Sequence, residues 1–99
     1  MSTPESVRHR ILRTTARHLL SARDPPKTIC PSEIPRALSD TDLHDAGVSH
    51  WRDLMDDARA VVWELRANGQ AEILQKGEVL ADDVSLQDVK GPLRVRRKD

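Results

Sequence analysis

Trp51-Arg52-Asp53-Leu54-Met55-Asp56-Asp57-Ala58-Arg59-Ala60-Val61-Val62-Trp63-Glu64-Leu65-Arg66-Ala67-Asn68-Gly69 is the stretch that decides the fold. At ~100° per residue, Trp51, Leu54, Met55, Ala58, Val61, Val62 and Leu65 fall within about one third of a helical circumference. Ser49 stands where an N-cap belongs. Asn68-Gly69 is a strong stop, because both residues tolerate the left-handed conformation of a helix end. The spacing predicts a long helix over 51–68 whose apolar stripe forms the spine of the core.

After Gly69 the pattern changes. Ala71-Glu72-Ile73-Leu74-Gln75 suits a strand, Lys76-Gly77 a tight turn, and Glu78-Val79-Leu80 a short returning strand. Residues 81–90 are acidic and irregular. Gly91-Pro92 resets the chain, and Leu93-Arg94-Val95-Arg96 alternates apolar and basic residues like an edge strand with one buried face.

Before the long helix, Val7, Ile11, Leu12, Ala16, Leu19 and Leu20 recur at helical spacing. They predict a first helix from near Pro4 to near Ser21, opened by a Ser2/Glu5 capping box or by Thr3 ahead of Pro4. Arg10, Arg13 and Arg17 form a basic stripe on it. Asp24-Pro25-Pro26 ends it. Lys27-Thr28-Ile29 is β-prone and predicts a single small strand. A short second helix follows, capped by either Cys30 or Ser32, with Ile34, Ala37 and Leu38 as its apolar face and Pro35 in its first turn. Ser39 to His50 reads as an acidic linking loop with one helical turn around Leu43.

Helix, short strand, short helix, loop, long helix, hairpin is the order of a winged helix. The expected fold is therefore α+β, with a three-helix helix-turn-helix core and a small β-hairpin wing. One domain over 1–99 is expected, with flexible ends at 1–5 and 97–99. The segments 27–33 (Lys27-Thr28-Ile29-Cys30-Pro31-Ser32-Glu33), Trp51-Arg52 with Leu54-Met55, the Gly69 stop, Gln75-Lys76-Gly77 and Gly91-Pro92-Leu93-Arg94 together resemble a bacterial winged-helix family, catalogued as domain of unknown function 3253. The resemblance covers nearly the whole chain. It implies the winged-helix fold and a bacterial origin, and it implies no activity, cofactor or catalytic residue. The chain departs from that pattern in a longer stretch between Gly77 and Gly91.

Composition narrows the function. Charge sums to zero over the 99 residues, but unevenly. Residues 1–36 carry seven Lys/Arg against three Asp/Glu, residues 37–89 four against twelve, and residues 90–99 five against one. Zero net charge argues against strong non-specific binding to a polyanion. A basic patch built from the two ends remains open. A single cysteine, Cys30, precludes an internal disulfide and fits a reducing cytoplasm. The start of the chain lacks the pattern of a signal peptide, and no apolar run approaches the roughly 18 residues of a membrane span. A cytoplasmic protein with no membrane partner is expected.

No enzyme active site is expected. Cys30 lacks an adjacent His and a resolving Cys, so a packed helix-capping residue explains it better than a reactive thiol. His44 and His50 lie near Asp40, Asp42 and Asp45, but without the spacing of a metal motif; no metal or cofactor is expected. Asp53, Asp57 and Glu64 read as a solvated acidic face of the long helix.

Two function classes remain. Arg52, Arg59 and Arg66 recur every seven residues beside the core stripe, with Trp63 next to them. Together with Arg94 and Arg96 of the wing they form a candidate DNA-binding surface. The flanking acids Asp53, Asp57 and Glu64 would repel phosphates, and in that case the same helix serves a protein–protein interaction or dimerisation module through Trp63. An uncovered indole wastes burial, so Trp63 is expected to meet Leu93 and Val95 of the wing or its own copy in a homodimer. DNA binding is placed first on the analogy of the fold plan alone.

Overall fold

In the computed structural model, residues 6–24, 27–81, 83–89 and 91–98 are described. Helix α1 spans Val7–Ser21 and buries Leu12, Ala16 and Leu20. Its cap is Ser6, whose side chain accepts the His9 amide at 3.1 Å. The caps expected at Ser2 and Thr3, and the prolines expected to end the helix, lie outside the described residues. Helix α2, Glu33–Arg36, buries Ile34 and Pro35. Pro35 is tolerated because it sits in the first turn, where amides have no intrahelical acceptor. Ala37, expected on the apolar face, lies past the helix end and is exposed.

The helical turn expected around Leu43 is present and is longer than one turn. Asp40–Asp45 forms a further helix, α3. Ser39 accepts the Asp42 amide and Asp42 accepts the Ser39 amide, a reciprocal capping box that offsets the poor helix propensity of the segment. The long helix is accordingly the fourth. It opens with a 3-10 turn over Trp51–Leu54 and continues as α4, Met55–Ala67. The cap is His50 rather than Ser49: His50 Nδ1 accepts the Arg52 amide at 3.1 Å. Leu54, Ala58, Val61, Val62 and Leu65 are buried, as the apolar stripe requires. Gly69, at φ +75°, ends the helix, with the Gln70 amide returning to the Leu65 carbonyl at 2.9 Å.

Strand β1, Ala71–Gln75, is the centre of a three-stranded antiparallel sheet in the order β2-β1-β3. Strand β2 is only Glu78–Val79, joined to β1 through Lys76 and Gly77, which take φ of 54° and 82° as a two-residue hairpin turn requires. Strand β3, Arg94–Arg97, pairs Ile73 with Val95 and Ala71 with Arg97. The expected edge character of this strand is not found at Val95. Ile29 bridges it from the other side, with both backbone hydrogen bonds at 2.8 Å. The single small strand expected over 27–29 is thus reduced to this one bridge. Leu12, Ile29, Ile34, Leu54, Leu65, Ile73 and Val95 meet in one core. Among the described residues the result is an α+β fold of four α-helices and a small sheet, compatible with a winged helix, with α3 inserted between the short and long helices.

Candidate nucleic-acid interface

The start of α4 gathers a basic and aromatic cluster. Trp51, expected within the buried stripe, is half-exposed. It precedes the α-helical part, and an imidazole and two guanidiniums lie around its ring. The His50 ring stacks on it at 5.6 Å between centroids, and the guanidinium carbons of Arg52 and Arg36 lie 5.4 and 5.8 Å from the indole centroid. Such contacts hold a cation in place without neutralising it, so the charge stays available to an anion. Arg36 is brought in by α2, with its Nε donating to the Ser32 carbonyl at 3.2 Å. His50, Arg36 and Arg52 are all exposed. The His50-Trp51-Arg52 run was visible in the sequence. Arg36 carries no such signal, because only tertiary packing of α2 against the 3-10 turn places it there.

The heptad series divides along the helix. Arg52 belongs to the Trp51 cluster. Arg59 has neither a hydrogen-bond nor an ion-pair partner among the described residues. Arg66 reaches across to the segment after β2, donating to the Ala81 carbonyl at 3.2 Å and the Val84 carbonyl at 2.7 Å. Its guanidinium also lies 5.2 Å from the Trp63 centroid. Trp63 Nε1 donates to the same Val84 carbonyl at 3.1 Å. The cover over Trp63 therefore comes from residues 83–89, with the indole also packed on the edge of the core.

Of the wing cations, Arg96 is in an ion pair and Arg94, exposed, bonds neutral oxygens only. Arg94 Nε donates to Thr28 Oγ1 at 2.9 Å, and Arg96 pairs with Glu72 at 3.0 Å across β1 and β3. Of the candidate residues, the structure brings Trp63 together with Arg66, and it puts Arg94 and Arg96 on the sheet with partners of their own.

The acidic side expected of Asp53, Asp57 and Glu64 is solvated only at Asp53, which is exposed. Asp57 binds Arg8 at 3.2 Å and His9 at 3.0 Å, and Glu64 lies 3.4 Å from Arg13. All three partners come from α1, and the guanidiniums of Arg8 and Arg13 counter two of the three carboxylates expected to repel phosphate. The α1 basic stripe divides: Arg13 faces Glu64, while Arg10 and Arg17 are exposed, Arg17 Nε donating to Gln70 at 3.2 Å.

Cys30 is half-buried, with its Sγ 3.2 Å from Ser32 Oγ. Its amide donates to Glu33 at 2.6 Å. The Arg23 guanidinium beside Glu33 holds that carboxyl below its ordinary range, with the Cys30 amide adding to the effect against partial burial. Among the described residues, no group of three His, Cys, Asp or Glu side chains gathers as metal ligands, and no helix is long and apolar enough to cross a membrane.

Fold and surface define a small α+β domain with a helical core, a three-stranded sheet and a cationic, aromatic cluster at the 3-10 turn that leads into α4. A family model described as a protein of unknown function, DUF3253, matches residues 9–98, and the chain belongs to that family. No curated protein matches the chain.

Proposed function

We propose that this domain binds DNA weakly, through the phosphate backbone, by way of Arg36, His50 and Arg52 around Trp51 and onward to Arg59. The observation that carries the reading is the Trp51 cluster itself: three exposed, basic side chains set around one half-exposed indole. In a helix-turn-helix the first residues of the second helix approach the groove, and the cluster lies at that position. Phosphate contacts of this kind fix orientation and carry no sequence information. Pairing of Asp57 and Glu64 with α1 supports the reading, since it lowers the repulsion along α4. The alternative, a protein-interaction or dimerisation module through Trp63, loses its main support because Trp63 is covered by its own chain. The lone cysteine fits a reducing compartment, and we place the protein in the cytoplasm.

Fluorescence anisotropy with a labelled mixed-sequence duplex tests this. Affinity is expected to fall steeply with salt, because each neutralised phosphate releases counterions. Arg36→Glu and Arg52→Glu are each expected to weaken binding to every duplex alike and to flatten the salt dependence. No binding to any duplex at low salt would overturn the reading.

A further inference from the structure

A groove of about 520 Å3 opens where the last turn of α1, the end of α4 and the end of β3 meet. It lies at the opposite end of α4 from the Trp51 cluster. Leu20 and Leu65, both buried, form its floor, and Arg17, Arg97 and Lys98 stand around it. Two hydrogen bonds frame it: Arg17 Nε donates to Gln70 Oε1 at 3.2 Å, and Arg97 Nη1 donates to the Ser21 carbonyl at 3.3 Å. The Lys98 amide donates to the Gln70 carbonyl at 3.2 Å and sets the third cation beside them. Among the described residues, every charged one lining the groove is basic. Arg97 also reaches outward to Asp24 at 3.4 Å. The terminal nitrogens of Arg17 and Nζ of Lys98 have no bond among the described residues. A Cβ added at Gly69 would meet nothing within 4 Å, so the groove is open on that side.

We infer that this groove binds a small amphipathic anion, a carboxylate carried on a short aliphatic chain. Its volume falls within the range of about 300–1,000 Å3 usual for small-molecule sites. The lining residues select the class. Three basic side chains suit an anionic head, and a guanidinium fork meets both oxygens of a carboxylate at once. Arg17 offers such donors, since only its Nε is engaged. The lining surface is more apolar than polar, because long basic side chains lay their stems along apolar residues and keep their charges in water. That surface suits an alkyl tail, which an inorganic ion lacks. With one side open, the chain lies along the floor with its outer edge in water. The groove shares no residue with the Trp51 cluster, so the inference stands apart from the function proposed above.

Octanoate is the probe, titrated into the whole chain at low salt and followed by NMR through the amide signals of Gly69, Gln70 and Gly77. The first two are expected to shift and saturate, while Gly77, at the hairpin turn, stays in place. Affinity is expected to rise about two- to fourfold per methylene from butyrate through hexanoate to octanoate, the upper figure being that of full burial. Acetate carries the head alone and octanol the tail alone, and each is expected to bind at least about tenfold more weakly than octanoate. Lys98→Glu changes an exposed residue with no side-chain partner among the described residues, and Arg17→Glu changes an exposed one bonded only to Gln70. Both variants are expected to keep the fold and to weaken octanoate about tenfold. Octanol binding as tightly as octanoate, or parent-like affinity in both variants, overturns the anionic class. Acetate binding as tightly as octanoate reduces the groove to a patch of surface charge, and shifts confined to residues away from Gly69 and Gln70 put the ligand elsewhere. Either of these overturns the inference.

Discussion

Arg23 Nη2 and Glu33 Oε1 lie 2.7 Å apart, and the second carboxylate oxygen of Glu33 takes the Cys30 amide at 2.6 Å. This pair joins the end of α1 to the start of α2. Arg23 also donates to the Thr28 carbonyl at 3.1 Å, and Thr28 in turn accepts Arg94 from β3. One carboxylate thus anchors the connection that delivers Ile29 to its bridge with Val95.

That anchor predicts an acid-sensitive stability. Glu33 has a lowered pKa in the folded protein, so its contribution is fully present above the unfolded carboxyl value of about 4.3. It is lost as pH falls through the lowered folded value. Glu33→Gln is expected to cost about 1–3 kcal/mol at neutral pH and to make the acid side of the stability curve shallower. Thermal melts of both proteins from neutral to strongly acidic pH check this. Parallel curves would show that Glu33 does not anchor the connection.

Leu65 lies at the contact of α4 with the rest of the core and has no exposed surface. Leu65→Ala is expected to destabilise by about 2–5 kcal/mol, since the surrounding side chains relax only partly into the cavity. Chemical denaturation gives the value, and an unchanged midpoint would place Leu65 outside the core.

The burial of Leu65 was legible from sequence because a helix imposes its period on every residue it contains. Val61, Val62 and Leu65 report one face together, and Gly69 reports the end. Helix α3 was harder to read. Its Asp content, with Gly47 just beyond its end, suggests a turn, and the signal that overrules it is the Ser39/Asp42 capping box, only two residues within twelve. The pairing of Asp57 with Arg8 and His9 joins residues 49 and 48 positions apart and follows no local pattern. The cover over Trp63 was the least legible, because its partner is a backbone carbonyl that any residue at position 84 would supply.

The α1–α4 clasp is the tertiary counterpart of the stripe. Arg8 spans three elements, donating from Nε and Nη2 to the Ala46 carbonyl, each at 3.2 Å, and from Nη1 to Asp57. A double-mutant cycle with Arg8→Gln and Asp57→Asn is expected to give a coupling of about 0.5 kcal/mol, since both side chains keep solvent contact. The coupling should shrink at high salt. A coupling of zero at low salt would mean that the two groups meet without holding the helices together.

The contact between Trp63 and Val84 separates into a hydrogen bond and a packing term, and two substitutions resolve them. Trp63→Phe removes the Nε1 donor and keeps an aromatic ring beneath Arg66. The Val84 carbonyl retains its 2.7 Å bond from Arg66 Nη2, so no acceptor is stranded. The expected cost is therefore small, about 1 kcal/mol. Trp63→Ala also removes the ring on which Arg66 rests and the surface packed on the core edge, and is expected to cost clearly more. Hydrogen exchange of the 83–89 amides adds the local readout. Both variants should speed it, the alanine variant more, while the amides of β1 follow only the global loss. If Trp63→Ala leaves the 83–89 amides as slow as in the parent, the indole does not hold that segment, and Arg66 alone does.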